Sequence, residues 1–115
     1  MHAPGPAVLV RIYTEEGKRN GNRPLYEAIV MKARELGLAG ATVLRGPMGF
    51  GHSSHLHTTK ILRLSQDLPI VIEIIDAQEK IDAFLPVLNG MISSGLVTLE
   101  KVQVLQYGTP PADGA

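Results

Sequence analysis

The chain has 115 residues, a formal net charge of zero, 44% hydrophobic residues and no cysteine. This length predicts one domain with enough apolar residues for a core, and the missing cysteines exclude a disulfide framework, a thiolate metal site and a cysteine nucleophile. Acidic and basic residues are interspersed without a basic face, which argues against a nucleic-acid partner. The sequence shows neither a secretory signal nor an apolar run long enough to cross a membrane, so we expect a cytoplasmic protein.

Up to Gly37, the chain contains one predicted strand and one predicted helix. Residues 1–6 are rich in Pro, Gly and Ala and are expected to form a flexible tail. Residues 7–13 then place branched apolar side chains at alternate positions, which predicts a strand. A polar loop follows, and Pro24 suits the first position of a helix that Gly37 would end.

Three further strands are predicted after Gly37. They cover residues 41–45, 70–75 and 97–107. Residues 70–75 are almost continuously apolar, which is typical of a strand that is covered on both faces or lies centrally in a sheet. The Pro-, Gly- and Ala-rich residues 109–115 are expected to form a second tail.

A second helix is predicted between the last two strands. Asp76 and Glu79 resemble a capping box at its start, because a carboxylate there accepts hydrogen bonds from N–H groups of the first turn. Pro86 lies inside the apolar stripe and is expected to kink the helix or to mark an irregular turn. Gly90 or Gly95 would end it.

These elements follow the order β-α-β-β-α-β. This order predicts an α+β, ferredoxin-like fold, with one domain over residues 7–108, a four-stranded antiparallel sheet and both helices on one face. The opposite face also carries apolar residues, among them Leu9, Ile75 and Leu105. Because an exposed apolar face requires a cover and the chain is short, we expect a symmetric oligomer.

A glycine-rich segment follows the second predicted strand. Gly46, Gly49 and Gly51 let the backbone adopt positive φ or lie close to another molecule, so their N–H groups suit a phosphate or another anion. A β-hairpin turn that needs a flexible backbone is an equally good interpretation. The flanking cations Arg45 and Lys60 either offset the charge of a ligand or are solvated strand residues.

Three histidines in the same segment offer a different chemistry. His52, His55 and His57 suit zinc, copper or nickel, and the last two would share one face of a strand. The spacing matches no zinc motif, and the nearest acid downstream is Asp67. A solvated or ligand-facing loop is therefore favoured over a metal site. No base accompanies the nearby serines, so we expect neither catalytic residues nor an enzyme.

An ordered set of short motifs resembles the DUF190 group of P-II-like proteins. The motifs lie at residues 11–13, 24–30, 37–46, 49–51, 68–75 and 95–98, and the resemblance extends from Leu9 to Gly108. It implies a ferredoxin-like subunit in a homotrimer. It also implies that effectors bind in clefts between subunits, and that a long loop after the second strand, the T-loop, contacts a partner protein.

The resemblance implies a regulatory protein that binds a small effector and signals through residues 46–67, which stand where the T-loop stands. The effector it implies is an adenine nucleotide or another anion, and the partner is a membrane transporter or another regulated protein. The residues expected near the effector are Arg45, Gly46, Gly49, Phe50, Gly51, His52, Lys60 and Lys101. The alternative is a trimeric metal-binding protein similar to the CutA group, with His52, His55 and His57 as ligands.

The sequence departs from the P-II pattern at three places. The Thr-Gly-x-x-Gly-Asp-Gly-Lys phosphate loop is absent, and residues 93–101 stand in its place with Lys101 as their only lysine. The basic pair near the P-II C-terminus is also absent. No tyrosine lies between Tyr26 and Tyr107, so the T-loop segment offers no tyrosine for uridylylation.

Overall fold

The fold is built on a four-stranded antiparallel sheet with two helices on one face. The computed structural model describes residues 4–51, 57–58 and 67–109. The elements are, in chain order, β1 (Gly5–Glu15), β2 (Arg19–Asn20), β3 (Arg23–Pro24), α1 (Leu25–Glu35), β4 (Gly40–Arg45), β5 (Met48–Gly49), β6 (His57–Thr58), β7 (Pro69–Asp76), α2 (Gln78–Met91) and β8 (Leu96–Val104). The main sheet has the order β4-β7-β1-β8 and is antiparallel throughout, which confirms the ferredoxin-like α+β prediction.

The core lies between the two helices and one face of this sheet. Alternate side chains of β1 point into it, so that Val10 lies opposite Ile74 and Ile12 opposite Ile72 in the neighbouring strand β7. Burying one such side chain contributes about 1.5–3 kcal/mol. The buried set is Val8, Val10, Ile12, Leu25, Ile29, Ala33, Ile70, Ile72, Ile74, Ile81, Phe84 and Leu88.

Helix α1 has the predicted stop and a start displaced by one residue. Pro24 is the N-cap, with φ −56° and ψ 140°, and not the first helical residue. At the other end Gly37 adopts φ 75°, its N–H donates to the Arg34 carbonyl over 3.1 Å, and the Leu38 N–H donates to the Ala33 carbonyl over 3.0 Å. This pair of hydrogen bonds with a left-handed glycine is a Schellman motif, which confirms Gly37 as the helix stop.

Asp76 has a wider role than the predicted helix cap. It is the last residue of β7, and the N-cap of α2 is Ala77. Its buried carboxylate accepts hydrogen bonds from the N–H of Ala77 at 2.6 Å and from the N–H of Ala39 at 2.9 Å. The carboxylate therefore joins the start of α2 to the loop between α1 and β4, a contact between residues 37 positions apart.

Helix α2 continues through its proline. Pro86 lies inside the single helical span Gln78–Met91, so the expected irregular turn at this position is not found. The helix ends one residue after Gly90. No helix in the described part of the chain is long and apolar enough to cross a membrane.

Two strands of the main sheet, β1 and β8, differ from their predicted bounds by more than one residue. Strand β1 begins two residues early, because Gly5 and Pro6, predicted to lie in the tail, pair with Val104 and Gln103. Strand β8 ends at Val104 and not at residue 107. The predicted polar loop also contains the short hairpin β2–β3, whose turn includes Gly21 at φ 62°.

The face opposite the helices is open and carries an apolar row. Leu44, Val71, Tyr13 and Leu96 occupy neighbouring positions across all four strands. Leu44 and Leu96 are half-exposed, and Tyr13 is exposed by 39%. The open face therefore carries apolar side chains, as the sequence indicated, but Leu105, predicted to be one of them, lies beyond the end of β8.

A charged row lies beside the apolar one on the open face. The Arg11 guanidinium donates through Nε to Glu73 over 3.0 Å and through Nη1 to Glu100 over 3.2 Å. The hydrogen bond to Glu73 raises the pKa of Arg11 above its usual value, since that carboxylate favours the charged guanidinium. Strands β1, β7 and β8 are thus connected by a network of ion pairs.

Candidate functional site

The candidate site lies at one end of the main sheet. Strands β1 and β4 end there and β7 begins there, with Arg45 opposite Ile70 and Glu15 opposite Pro69. The segment of residues 46–67 leaves the sheet at Gly46 and returns just before Pro69. The glycine-rich stretch singled out in the sequence therefore begins where three strands meet.

The two ends of this segment, which we call its roots, lie at Gly46 and just before Pro69 and are held by backbone hydrogen bonds. The Gly46 N–H donates to the Pro69 carbonyl over 2.8 Å, and the Glu16 N–H donates to the Leu68 carbonyl over 2.8 Å. The first root is thus hydrogen-bonded to the start of β7, where the second root ends. The turn after β1 is hydrogen-bonded to the neighbouring residue Leu68. The segment leaves the sheet from a rigid base.

Arg45 is the cation of this base, and it already has an anionic partner. Its Nη2 contacts Oε2 of Glu16. The Arg45 side chain is 52% exposed, whereas that of Glu16 is 20% exposed. Arg45 is therefore accessible to a ligand from solution while its charge is balanced from within the chain.

The glycines are explained by close packing within the chain. Gly46, Gly49 and Gly51 all belong to the described residues, and none of them lies in the left-handed region. A Cβ on Gly49 would meet Cγ of Pro69 at 3.0 Å, and one on Gly46 would meet Cβ of Pro69 at 3.4 Å. These two glycines therefore let the stretch approach the start of β7, whereas no atom of the described residues lies within 4 Å of a Cβ on Gly51.

A short two-stranded ladder continues from this base. Met48 pairs with Thr58, and Gly49 pairs with His57, in antiparallel register. The hairpin interpretation of the glycine-rich stretch is therefore correct for its first residues. Phe50 follows the ladder and is 72% exposed, so a large aromatic ring is available there for contact with another molecule.

The predicted effector residues are only partly brought together. Arg45, Gly46, Gly49, Phe50 and Gly51 lie in one continuous stretch at this end of the sheet. His52, His55 and Lys60 lie outside the described residues, and His57 is described by its backbone alone.

Lys101 lies at the opposite end of the sheet within one subunit. It pairs with Val8 of β1, whereas Arg45 shares the row of Ile70 and Thr14, six positions further along that strand. At about 3.3 Å per residue these rows are roughly 20 Å apart. The fold therefore does not bring Lys101 and Arg45 of one chain together.

Three residues at this end were not identified from the sequence. Glu16 pairs with Arg45. Asp67 lies close to the turn after β1, where a Cβ on Gly17 would be 2.8 Å from the Asp67 Oδ1. The Thr14 hydroxyl is buried and has no hydrogen-bond partner among the described residues. No local pattern marks these residues, because Glu16 and Asp67 are defined by contacts to distant parts of the chain, and the Thr14 hydroxyl is defined by its burial in the fold.

The described residues provide no metal site. Within residues 4–51, 57–58 and 67–109, no group of three or more His, Asp or Glu side chains comes together in a way that could hold a metal ion. The metal interpretation therefore depends on histidines that lie largely outside these ranges.

Sequence comparisons identify a family. The model of DUF190, described as an uncharacterized ACR, matches residues 7–104. A UPF0166 protein from Aquifex aeolicus is 41% identical over 97 residues, which cover 84% of this chain and 91% of that protein. A UPF0166 protein from Methanocaldococcus jannaschii is 33% identical over 104 residues, covering 90% of this chain and 95% of the other.

Solved structures with the same fold are P-II-like proteins. A putative PII-like signalling protein from Thermus thermophilus superposes with a TM-score of 0.64 at 21% identity, covering 88% of this chain and 91% of that one. CPII, a nitrogen regulatory PII-like protein from Thiomonas intermedia solved with ADP, AMP and bicarbonate, gives 0.62 at 18% identity, covering 92% and 94%. The chain is a member of the DUF190 family, and its fold is that of the P-II-like proteins.

Proposed function

We propose that this protein is a P-II-like regulator that binds an adenine nucleotide beside Arg45 and signals to a partner protein through residues 46–67. The observation that carries the proposal is the rigid base of this segment. Its two roots are joined by the bond from Gly46 to Pro69, and the Arg45 guanidinium lies directly next to one root. A ligand that binds Arg45 is therefore next to the segment that would carry the signal.

The chemistry of the base supports an anionic effector. A half-exposed guanidinium offers several N–H donors in a planar fork, which suits phosphate oxygens. The exposed Phe50, five positions further on, offers a ring for stacking with a base. Similarity of fold to CPII, whose structure contains ADP and AMP, makes the adenine nucleotides the first ligands to test. The described residues of the site hold no arrangement that suggests a reaction, and we propose binding without catalysis.

The open face of the sheet supports a homotrimer. An apolar row of four neighbouring side chains on the face opposite the helices suits an interaction surface, and a second copy of the same face is a natural cover. In a trimer, Lys101 of one subunit and Arg45 of the next would be free to meet at a cleft. Light scattering should give about three times the 12.4 kDa of one chain, whereas a monomer at micromolar concentration would contradict the proposal.

Thermal unfolding tests the proposed effector. A ligand that binds only the native state raises the unfolding midpoint with concentration, by about 2.7 kcal/mol of stability at 100 times Kd. We expect such a rise with ADP, AMP or ATP and none with the uncharged nucleoside adenosine. A flat response to all three nucleotides would exclude the nucleotide part of the proposal.

A further inference from the structure

We infer that Glu16 is an internal competitor for the effector, an affinity-setting residue whose carboxylate occupies the guanidinium that an incoming phosphate must use. This inference rests on the proposed function, because it concerns the same site. It assigns a role to a residue that lies outside every motif of the sequence and outside the segment of residues 46–67.

The pair is held in place by the backbone on both sides. The Glu16 N–H donates to the Leu68 carbonyl over 2.8 Å, and the residue after Arg45 donates to the Pro69 carbonyl over 2.8 Å. Both partners are thus anchored to consecutive residues at the start of β7. Little conformational freedom of the backbone is lost when the side chains meet, so the ion pair forms readily in the absence of a ligand.

The exposure of the two side chains indicates which partner is exchangeable. Glu16 is 20% exposed and is the more enclosed member, while Arg45 is 52% exposed and reaches solution. A phosphate arrives from the exposed side, where Arg45 still has donors that do not face Glu16. The approaching anion then either shares the Arg45 guanidinium with the Glu16 carboxylate or displaces that carboxylate. In both cases the negative charge of Glu16 stays nearby and repels the anion.

The cost of this competition follows from the strength of such pairs. A half-exposed ion pair is weak, so removing the carboxylate should strengthen binding modestly, by roughly three- to fivefold. A carboxylate that instead orients Arg45 for the ligand would give the opposite sign, because its removal would weaken binding. The sign of the change therefore separates a competitor from a positioning residue.

The test is a titration calorimetry cycle with ADP as the probe. The variants are Glu16→Gln, Arg45→Gln and the double variant, with Glu35→Gln as the matched control, since Glu35 pairs with Lys32 over 3.0 Å on helix α1. We expect Glu16→Gln to bind ADP about three- to fivefold more tightly than the parent, and Glu35→Gln to match the parent. In the Arg45→Gln background the effect of Glu16→Gln should largely disappear, because the competition acts through that guanidinium.

The outcomes distinguish this inference from the proposed function. If the parent binds ADP and Glu16→Gln binds it equally or more weakly, the role of Glu16 is wrong and the effector site stands. If Glu16→Gln gains the same factor with and without Arg45, the carboxylate acts as a general negative charge and not as a competitor for this guanidinium. If neither the parent nor Glu16→Gln binds ADP, the proposed function fails, and Glu16 then has no effector to compete with.

Discussion

The two ends of the sheet use carboxylates in opposite ways. At the end where β7 meets α2, Asp76 is fully buried and binds backbone N–H groups. At the other end, Glu16 binds a side chain that is 52% exposed. The buried Asp76 side chain is shielded from water and from other partners, whereas an exposed guanidinium can bind another anion. The comparison indicates that the Asp76 end maintains the fold and that the Arg45 end is available for exchange.

The Asp76 end is reinforced by further contacts to the same loop. The Tyr107 hydroxyl donates to the Ala39 carbonyl over 2.8 Å, and Lys80 Nζ donates to the Leu36 carbonyl over 3.3 Å. Side chains from the C-terminal segment, from α2 and from β7 thus converge on the turn that follows α1. Each of these contacts joins residues that are far apart in sequence, which is typical of a structural junction.

The largest expected effect is therefore at Asp76. Asp76→Ala leaves the half-buried Ala39 N–H without the carboxylate that accepts from it, and a hydrogen bond to a charged group contributes about 1.5–3 kcal/mol. With loss of the bond to Ala77 as well, we expect stability to fall by about 2–3 kcal/mol in urea unfolding at one protein concentration. Asp82→Ala, on the exposed side of α2, is the matched control and should change stability by less than about 0.5 kcal/mol. Equal effects of the two variants would contradict the assigned role of Asp76.

Tyr107 should contribute less than Asp76. Tyr107→Phe removes one exposed hydrogen bond to Ala39 and keeps the ring, so we expect a loss of about 0.5–1.5 kcal/mol. Tyr26→Phe, on helix α1 and away from the open sheet face, serves as the control for removal of a tyrosine hydroxyl elsewhere. A loss no larger than that of the control would show that the C-terminal contact does not hold the turn.

At the Arg45 end of the sheet, Thr14 differs from the exposed residues around it, because its hydroxyl is buried without a partner among the described residues. Thr14→Val keeps the shape and removes an unsatisfied polar group, so we expect a gain of about 1 kcal/mol in urea unfolding. Thr42→Val, at an exposed position of β4, provides the control. A destabilised Thr14→Val would mean that the hydroxyl forms a hydrogen bond in solution.

The smallest effect on stability is expected for the ion pair itself. Glu16→Gln and Arg45→Gln should each change the free energy of unfolding by less than about 1 kcal/mol, because half-exposed pairs contribute little. A loss above about 2 kcal/mol for either variant would place the pair with the structural contacts of the Asp76 end and would remove the contrast between the two ends.

Local patterns in the sequence predicted most of the fold. The alternation of Val8, Val10 and Ile12 identified the buried face of β1, and Gly37 marked the end of α1 because a left-handed residue was needed there. The hairpin β2–β3 was missed because strands of two residues have no periodicity. Pro86 does not interrupt α2, so the predicted irregular turn is wrong, whereas the predicted kink stays a prediction.

The site was predicted less well, for a different physical reason. Gly46 and Gly49 drew attention as possible ligand contacts, but their missing side chains make room for Pro69, about 20 residues away. Asp76 was predicted to form a capping box with Glu79, but its carboxylate also accepts a hydrogen bond from Ala39, 37 positions away in the sequence. Glu16 and Arg45 meet only because β1 and β4 end beside the start of β7. Contacts between distant residues depend on strand register, which single-sequence patterns do not specify.

The most direct test of the central claim, that the Arg45 end of the sheet is an effector site, is titration of ADP into the parent, Arg45→Gln and Arg34→Gln. Arg34 lies exposed near the end of α1, so its replacement changes the net charge equally at a remote position. We predict saturable binding to the parent and to Arg34→Gln, and an affinity about tenfold lower for Arg45→Gln, as expected for loss of a charge-assisted hydrogen bond. Equal affinity of all three proteins would contradict the account.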